Sequence, residues 1–94
     1  MGTNTVPAVR RLNKVPEMVR PLVQQMANIV ADRFPDAQFE VISVNKRESR
    51  YYIDVYTRPE DSWKMIDLIT PWIISLRHDK GIEINATPMD LFKG

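Results

Sequence analysis

Between Glu17 and Phe34 the apolar residues Val19, Leu22, Val23, Met26, Ile29, Val30 and Phe34 recur every three or four positions, with Gln24, Gln25, Asn28, Asp32 and Arg33 off that stripe. This spacing gathers the apolar set on one side and predicts an amphipathic helix. Pro21 suits a first turn, where a missing N–H has no helical partner, so the regular helix is expected to begin near Arg20. Pro35 pushes Phe34 away from α geometry and discourages continuation past it.

From Phe39 to Thr57 the period changes from about four to two. Phe39 and Val41 alternate with Gln38 and Glu40, but Ile42 and Val44 fall on the opposite parity. Such a change of phase predicts a β-bulge near Ile42 and Ser43, or burial of both faces at that end. In the next run Tyr51, Ile53 and Val55 share one face, expected to point inward, and Tyr52, Asp54 and Tyr56 share the other. The intervening Lys46-Arg47-Glu48-Ser49-Arg50 contains no Asn-Gly or Asp-Gly, so a loop of about four or five residues is expected rather than a two-residue primed turn.

Arg58-Pro59-Glu60-Asp61 reads as a helix start, with proline near the first position and acids where the helix dipole favours them. Trp63, Ile66, Ile69, Ile73 and Leu76 then form a second apolar stripe, interrupted by Pro71. The helix either kinks near Thr70 or ends there, with Thr70 capping a new turn. A competing parse makes Trp72 to Arg77 a strand leading into a hairpin at His78 to Gly81; the helical parse is preferred. Trp63 and Trp72 are nine positions apart, about 180° on a continuous helix, so they cannot share one core face. Gly81 suits a left-handed residue after a helix or in a turn. Ile82, Ile84 and Ala86 alternate with Glu83, Asn85 and Thr87 as in a strand with one wet face, and Pro88 is expected to end it. The tail Met89 to Phe92 either closes one end of the core or is mobile.

The expected order is α-β-β-α-β, an α+β two-layer sandwich with a small mixed three-stranded sheet and two helices on one face. The uncovered face would carry Tyr52, Asp54, Tyr56, Glu83 and Asn85, and two strand edges would remain unpaired. Residues 1–14 lack apolar periodicity and read as a flexible N-terminal arm, leaving 15–94 as a single domain. The whole chain has 94 residues, 44% of them hydrophobic and 27% charged, which suits one globular domain rather than a disordered segment.

With no cysteine, the chain holds no disulfide, thiolate metal site or cysteine nucleophile. The first residues lack the pattern of a secretory signal. The most apolar later stretch, Met65 to Leu76, falls short of the roughly 18 to 20 residues that span a bilayer. A cytoplasmic protein without membrane contact is therefore expected. Residues 1–20 carry Arg10, Arg11, Lys14 and Arg20 against Glu17, a local +3 within a net charge of +1. That imbalance is too mild to imply nucleic acid by itself.

Asp54 lies in the middle of an apolar strand, a placement typical of metal-binding carboxylates. With the Arg33-Phe34-Pro35 helix end, the acid-rich helix start and the last strand after Gly81, the segment 33–89 resembles a minimal nucleotidyltransferase domain. The match departs at the chemistry, because Ser43-Val44-Asn45 replaces the Gly-Ser pair and Tyr52 replaces the first of two carboxylates needed for Mg²⁺. The resemblance thus implies at most a catalytically inactive relative, and the preferred reading of Asp54 is a solvated carboxylate on the open sheet face. His78 beside Asp79 suggests a dyad but lacks a nucleophile motif and suits a helix C-terminus.

Lys46, Arg47 and Arg50, followed by Tyr51 and Tyr52 and later Arg58, mix basic and aromatic residues as nucleic-acid surfaces do, although a charged turn is also an ordinary solvated hairpin tip. The reading that follows is a small non-enzymatic interaction module without a cofactor. It would bind a protein partner or itself, as a homodimer, through the open sheet face or an edge strand. Nucleic-acid binding at the basic tip and an inactive nucleotidyltransferase-like domain are the alternatives. The candidate surface comprises Lys46, Arg47, Arg50, Tyr52, Asp54, Tyr56 and Arg58.

Overall fold

The computed structural model describes residues 6–93. Four strands, β1 (Val9–Arg10), β2 (Gln38–Asn45), β3 (Arg50–Thr57) and β4 (Glu83–Asp90), form one mixed sheet in that spatial order. The helices α1 (Arg20–Arg33) and α2 (Ser62–Lys80) pack on each other and on one face of the sheet, around a single core. β1 runs parallel to β2 and β3 parallel to β4, while β2 and β3 form the antiparallel hairpin. The molecule is thus two strand-helix-strand units joined by the hairpin.

The α+β class stands, with four strands in place of the expected three. The additional strand comes from the segment read as an arm: Val9 pairs with Phe39 and Arg10 with Glu40. Two residues are too few to show alternation, so no period announces them. The leader is tied to α1 by side chains. Gln24 Nε2 donates to the Pro7 carbonyl at 2.8 Å, and Arg20 donates to the Val15 and Asn13 carbonyls at 2.7 and 3.1 Å. Residues 1–5 of that arm lie outside the described residues.

α1 begins with Pro21 in its first turn and buries Val23, Met26, Ala27 and Val30; the Phe34 N–H closes it on the Val30 carbonyl. In the hairpin, Val41 pairs with Ile53 but Ser43 pairs with Tyr52, so Ile42 is the extra, bulged residue. The bulge lets Val41 and Val44 both face the helices although they are three apart, and it leaves Ile42 exposed. Lys46 to Ser49 make the turn, with the Asn45 side chain accepting from the Glu48 N–H at 3.1 Å. Tyr51, Ile53, Val55 and Thr57 point into the core, as the alternation of β3 requires.

α2 runs unbroken through Pro71, which excludes the strand parse of residues 72–77. Proline deprives the Asp67 carbonyl of its donor, but Asp67 and Pro71 are both exposed, where water can replace the bond. Thr70 lies inside the helix rather than at a cap, its hydroxyl donating back to the Ile66 carbonyl at 2.6 Å. The buried stripe is Met65, Ile69 and Leu76, not one led by Trp63. Trp63 is 79% exposed and Trp72 packs against the core. Their opposition follows from the nine-residue spacing, and which of the two faces inward depends on where the sheet lies. Gly81 closes α2 in the left-handed region at φ 68, its N–H bonded to the Arg77 carbonyl.

β4 continues past Pro88, contrary to expectation. Glu83 N–H donates to the Ser49 carbonyl and Leu91 N–H to the Thr57 carbonyl. With a period of two, the odd-numbered amides between them face β3 and those of Ile84, Ala86 and Asp90 face outward. Pro88 therefore occupies a position that owes no bond to the ladder, as strand prolines at a sheet edge do. Beyond it Leu91 is partly buried, but Phe92 is 71% exposed and does not close the core.

Candidate interaction surface

The cross-strand register builds the open face. Glu40 lies opposite Asp54, Gln38 opposite Tyr56 and Ser43 opposite Tyr52 across the hairpin. On the other side of β3, Tyr52 meets Asn85, Asp54 meets Thr87, Tyr56 meets Met89 and Arg50 meets Glu83. All but Ser43 are off the parity of Phe39, Val55 and Ile84, which the core absorbs, and Ser43 reaches this face because the bulge at Ile42 shifts the phase of β2.

Charge on this face is largely paired. Arg10 and Arg11 reach Glu40 at 3.8 and 3.5 Å, and the Arg10 guanidinium lies 5.4 Å from the centre of the Tyr56 ring. Arg50 joins Glu48 at 3.0 Å and Glu83 at 3.7 Å, and Asn85 Nδ2 donates to Glu83 at 3.1 Å. Among the described residues, Asp54 has no such cation. Loss of water on burial, and then the nearby Glu40 charge, raise its pKa above the ordinary carboxylate value.

The residues proposed from sequence fall in three places. Lys46 and Arg47 stand exposed at the hairpin tip, and among the described residues neither forms an ion pair. Tyr52, Asp54 and Tyr56 share the open face, joined at its edge by Arg50. Arg58 lies just past the end of β3, two residues beyond Tyr56 and roughly 26 Å along the chain direction from Arg50. There it donates through Nε and Nη2 to Asp36 at 3.1 and 2.7 Å. That bond, and then the Asp36 charge, raise the Arg58 pKa further.

The Arg58–Asp36 pair borders a shallow cleft of about 330 Å³, lined also by Arg33, Phe34, Thr57 and Glu60. Thr57 is 1% exposed and, among the described residues, its Oγ1 has no hydrogen-bond partner. Among the described residues, no group of three or more His, Cys, Asp or Glu side chains is placed to hold a metal ion, and no helix is long and apolar enough to cross a membrane. His78 Nδ1 lies 3.2 Å from Asp79, with both side chains standing in solvent.

Sequence reading overlooked Glu40, Met89 and the two arginines of the leader as parts of this face. Glu40 was accessible to it, because its parity opposes Phe39 and Val41 just as that of Asp54 opposes Ile53 and Val55. Met89 was hidden by the assumption that Pro88 ends the strand. Arg10 and Arg11 had no periodic signal at all. Neither a protein-family model nor a curated protein nor a solved structure matches this chain.

Proposed function

We propose that this chain is a small interaction module without catalytic chemistry of its own, binding a protein partner or a second copy of itself through the open sheet face and the adjoining edge of β4. The observation that carries this reading is the asymmetry of the two sheet edges. At one edge the two-residue β1, which carries Arg10 and is followed by Arg11, covers only Phe39 and Glu40 of β2, and the bulge at Ile42 interrupts the rest, whereas β4 offers eight regular residues with one side unpaired. A long unpaired edge is a ready template for another strand. On the face that neither α1 nor α2 covers, Met89 of β4, Tyr52 of β3 and Ile42 of β2 present apolar surface. Light scattering from micromolar to millimolar concentration tests self-association: the apparent mass should rise toward that of a dimer, and a strict monomer throughout removes that part of the reading.

A second reading, nucleic-acid binding at the hairpin tip, is favoured by the exposed Lys46 and Arg47. Arg50 contributes less to it, being held by Glu48 and Glu83. A fluorescence titration with single- and double-stranded oligonucleotides should show binding at low salt that weakens as salt rises; no binding at low salt ends this reading.

A further inference from the structure

We infer that the occupant of the β4 edge is the β4 strand of a second copy, paired antiparallel about a twofold axis through Asn85. The inference rests on the interaction-module reading above and specifies its partner and register. Because Glu83 and Leu91 donate inward to β3, the groups turned outward belong to Ile84, Ala86, Pro88 and Asp90. Antiparallel self-pairing must match outward residues with outward residues, which limits the choice of axis. Centring on Ala86, Thr87 or Pro88 sets the Pro88 ring against a paired residue of the other β4, where it supplies no donor and crowds the facing carbonyl. Centring on Asn85 pairs Ile84 with the Ala86 position of the other copy, and the reverse, giving four backbone hydrogen bonds. Pro88 then falls opposite position 82, just before the strand begins at Glu83. No other centre pairs so long a stretch while keeping both prolines out of the ladder.

The side chains suit this axis. The two Asn85 amides meet as a non-hydrogen-bonded pair on the open face, and each carries both a donor and an acceptor. Glu83 lies opposite the Thr87 position, so no like charges face each other across the junction. Its carboxylate already has Arg50 at 3.7 Å as a partner. No charged side chain lies between Glu83 and Asp90 to guard the middle of the edge. Twofold pairing uses the same β4 edge in both copies and leaves neither free, so this contact closes at two copies rather than continuing as a filament.

The absence of cysteine makes the register directly measurable. Under mild oxidation Asn85→Cys should form a disulfide-linked dimer, since a non-hydrogen-bonded antiparallel pair brings its Cβ atoms to about 5 Å. Thr87→Cys should stay unlinked, its two copies being about 13 Å apart along the strands. In the unmodified protein, amide exchange at Ile84 and Ala86 should slow as concentration rises, while that of Asp90 stays unchanged. A dimer by light scattering without linkage at position 85 and without added protection at Ile84 and Ala86 overturns this inference and leaves the broader reading in place. Linkage at position 87 but not 85 overturns the register, and a strict monomer at millimolar concentration overturns both.

Discussion

Asp54 and Glu40 face each other in the middle of the sheet, and among the described residues Arg10 and Arg11 form their ion pairs with Glu40 and not with Asp54. Ionised Asp54 therefore bears a cost in the folded state, consistent with its raised pKa. Asp54→Asn should stabilise the protein at neutral pH by about 0.2–1 kcal/mol, the range for relieving opposed like charges across strands. The sign of its pH dependence follows from linkage. A carboxyl whose pKa is raised on folding carries its full penalty above the folded value and none below the unfolded value. The advantage of the variant should thus shrink as pH falls through the Asp54 pKa and vanish in more acidic solution, as denaturant midpoints across pH would show. At the end of the same strand, the partnerless Thr57 hydroxyl is buried. Thr57→Val keeps the shape and removes that polar group, so unfolding free energy should rise by about 1 kcal/mol; a loss of stability would show that the hydroxyl is satisfied in solution.

At the scale of elements, α2 combines one favourable and one unfavourable backbone choice. Gly81 ends it with φ 68, and no atom would contact an added Cβ. Gly81→Ala should therefore cost about 1 kcal/mol from left-handed backbone strain alone, lowering the urea midpoint without changing the slope. Pro71 removes a helical bond on an exposed face, and Pro71→Ala should add about 1–3 kcal/mol, with greater helical ellipticity after heating. Both features were visible as residue types in the sequence, but with different clarity. Gly81 has few uses other than a turn or cap, whereas Pro71 left a kink, a helix end and a strand all open. The bulge at Ile42 was legible because a change of parity in a strand has few physical causes. Trp63 was misplaced because a helical stripe read at three- and four-residue spacing can be drawn one position to either side, and only the sheet beneath α2 selects the stripe through Met65 and Ile69.

For the whole molecule, the sheet has one short and one long edge, and mass action makes the long one measurable. If copies pair through β4, only the folded state associates, so the melting temperature should rise with protein concentration. A melting temperature flat from micromolar to millimolar would indicate a molecule whose edge stays unpaired. The candidate surface was legible only in part. Alternation places Tyr52, Asp54 and Tyr56 on one face, whereas the pairing of Arg58 with Asp36 just past the end of β3 has no signal in the local pattern.

Local order in the chain is enough for α1, for a helix start after Arg58, for the hairpin with its change of phase at Ile42, for the inward face of β3 and for a left-handed residue at Gly81. These follow from local periodicity and from the restricted backbone geometry of proline and glycine. Tertiary structure alone decided that Val9 and Arg10 form a strand, that α2 survives Pro71, that Trp63 faces solvent, and that β4 passes through Pro88. Each depends on which side of a residue meets water and which meets a neighbouring element. That is a property of residues distant in the chain, and no local pattern records it.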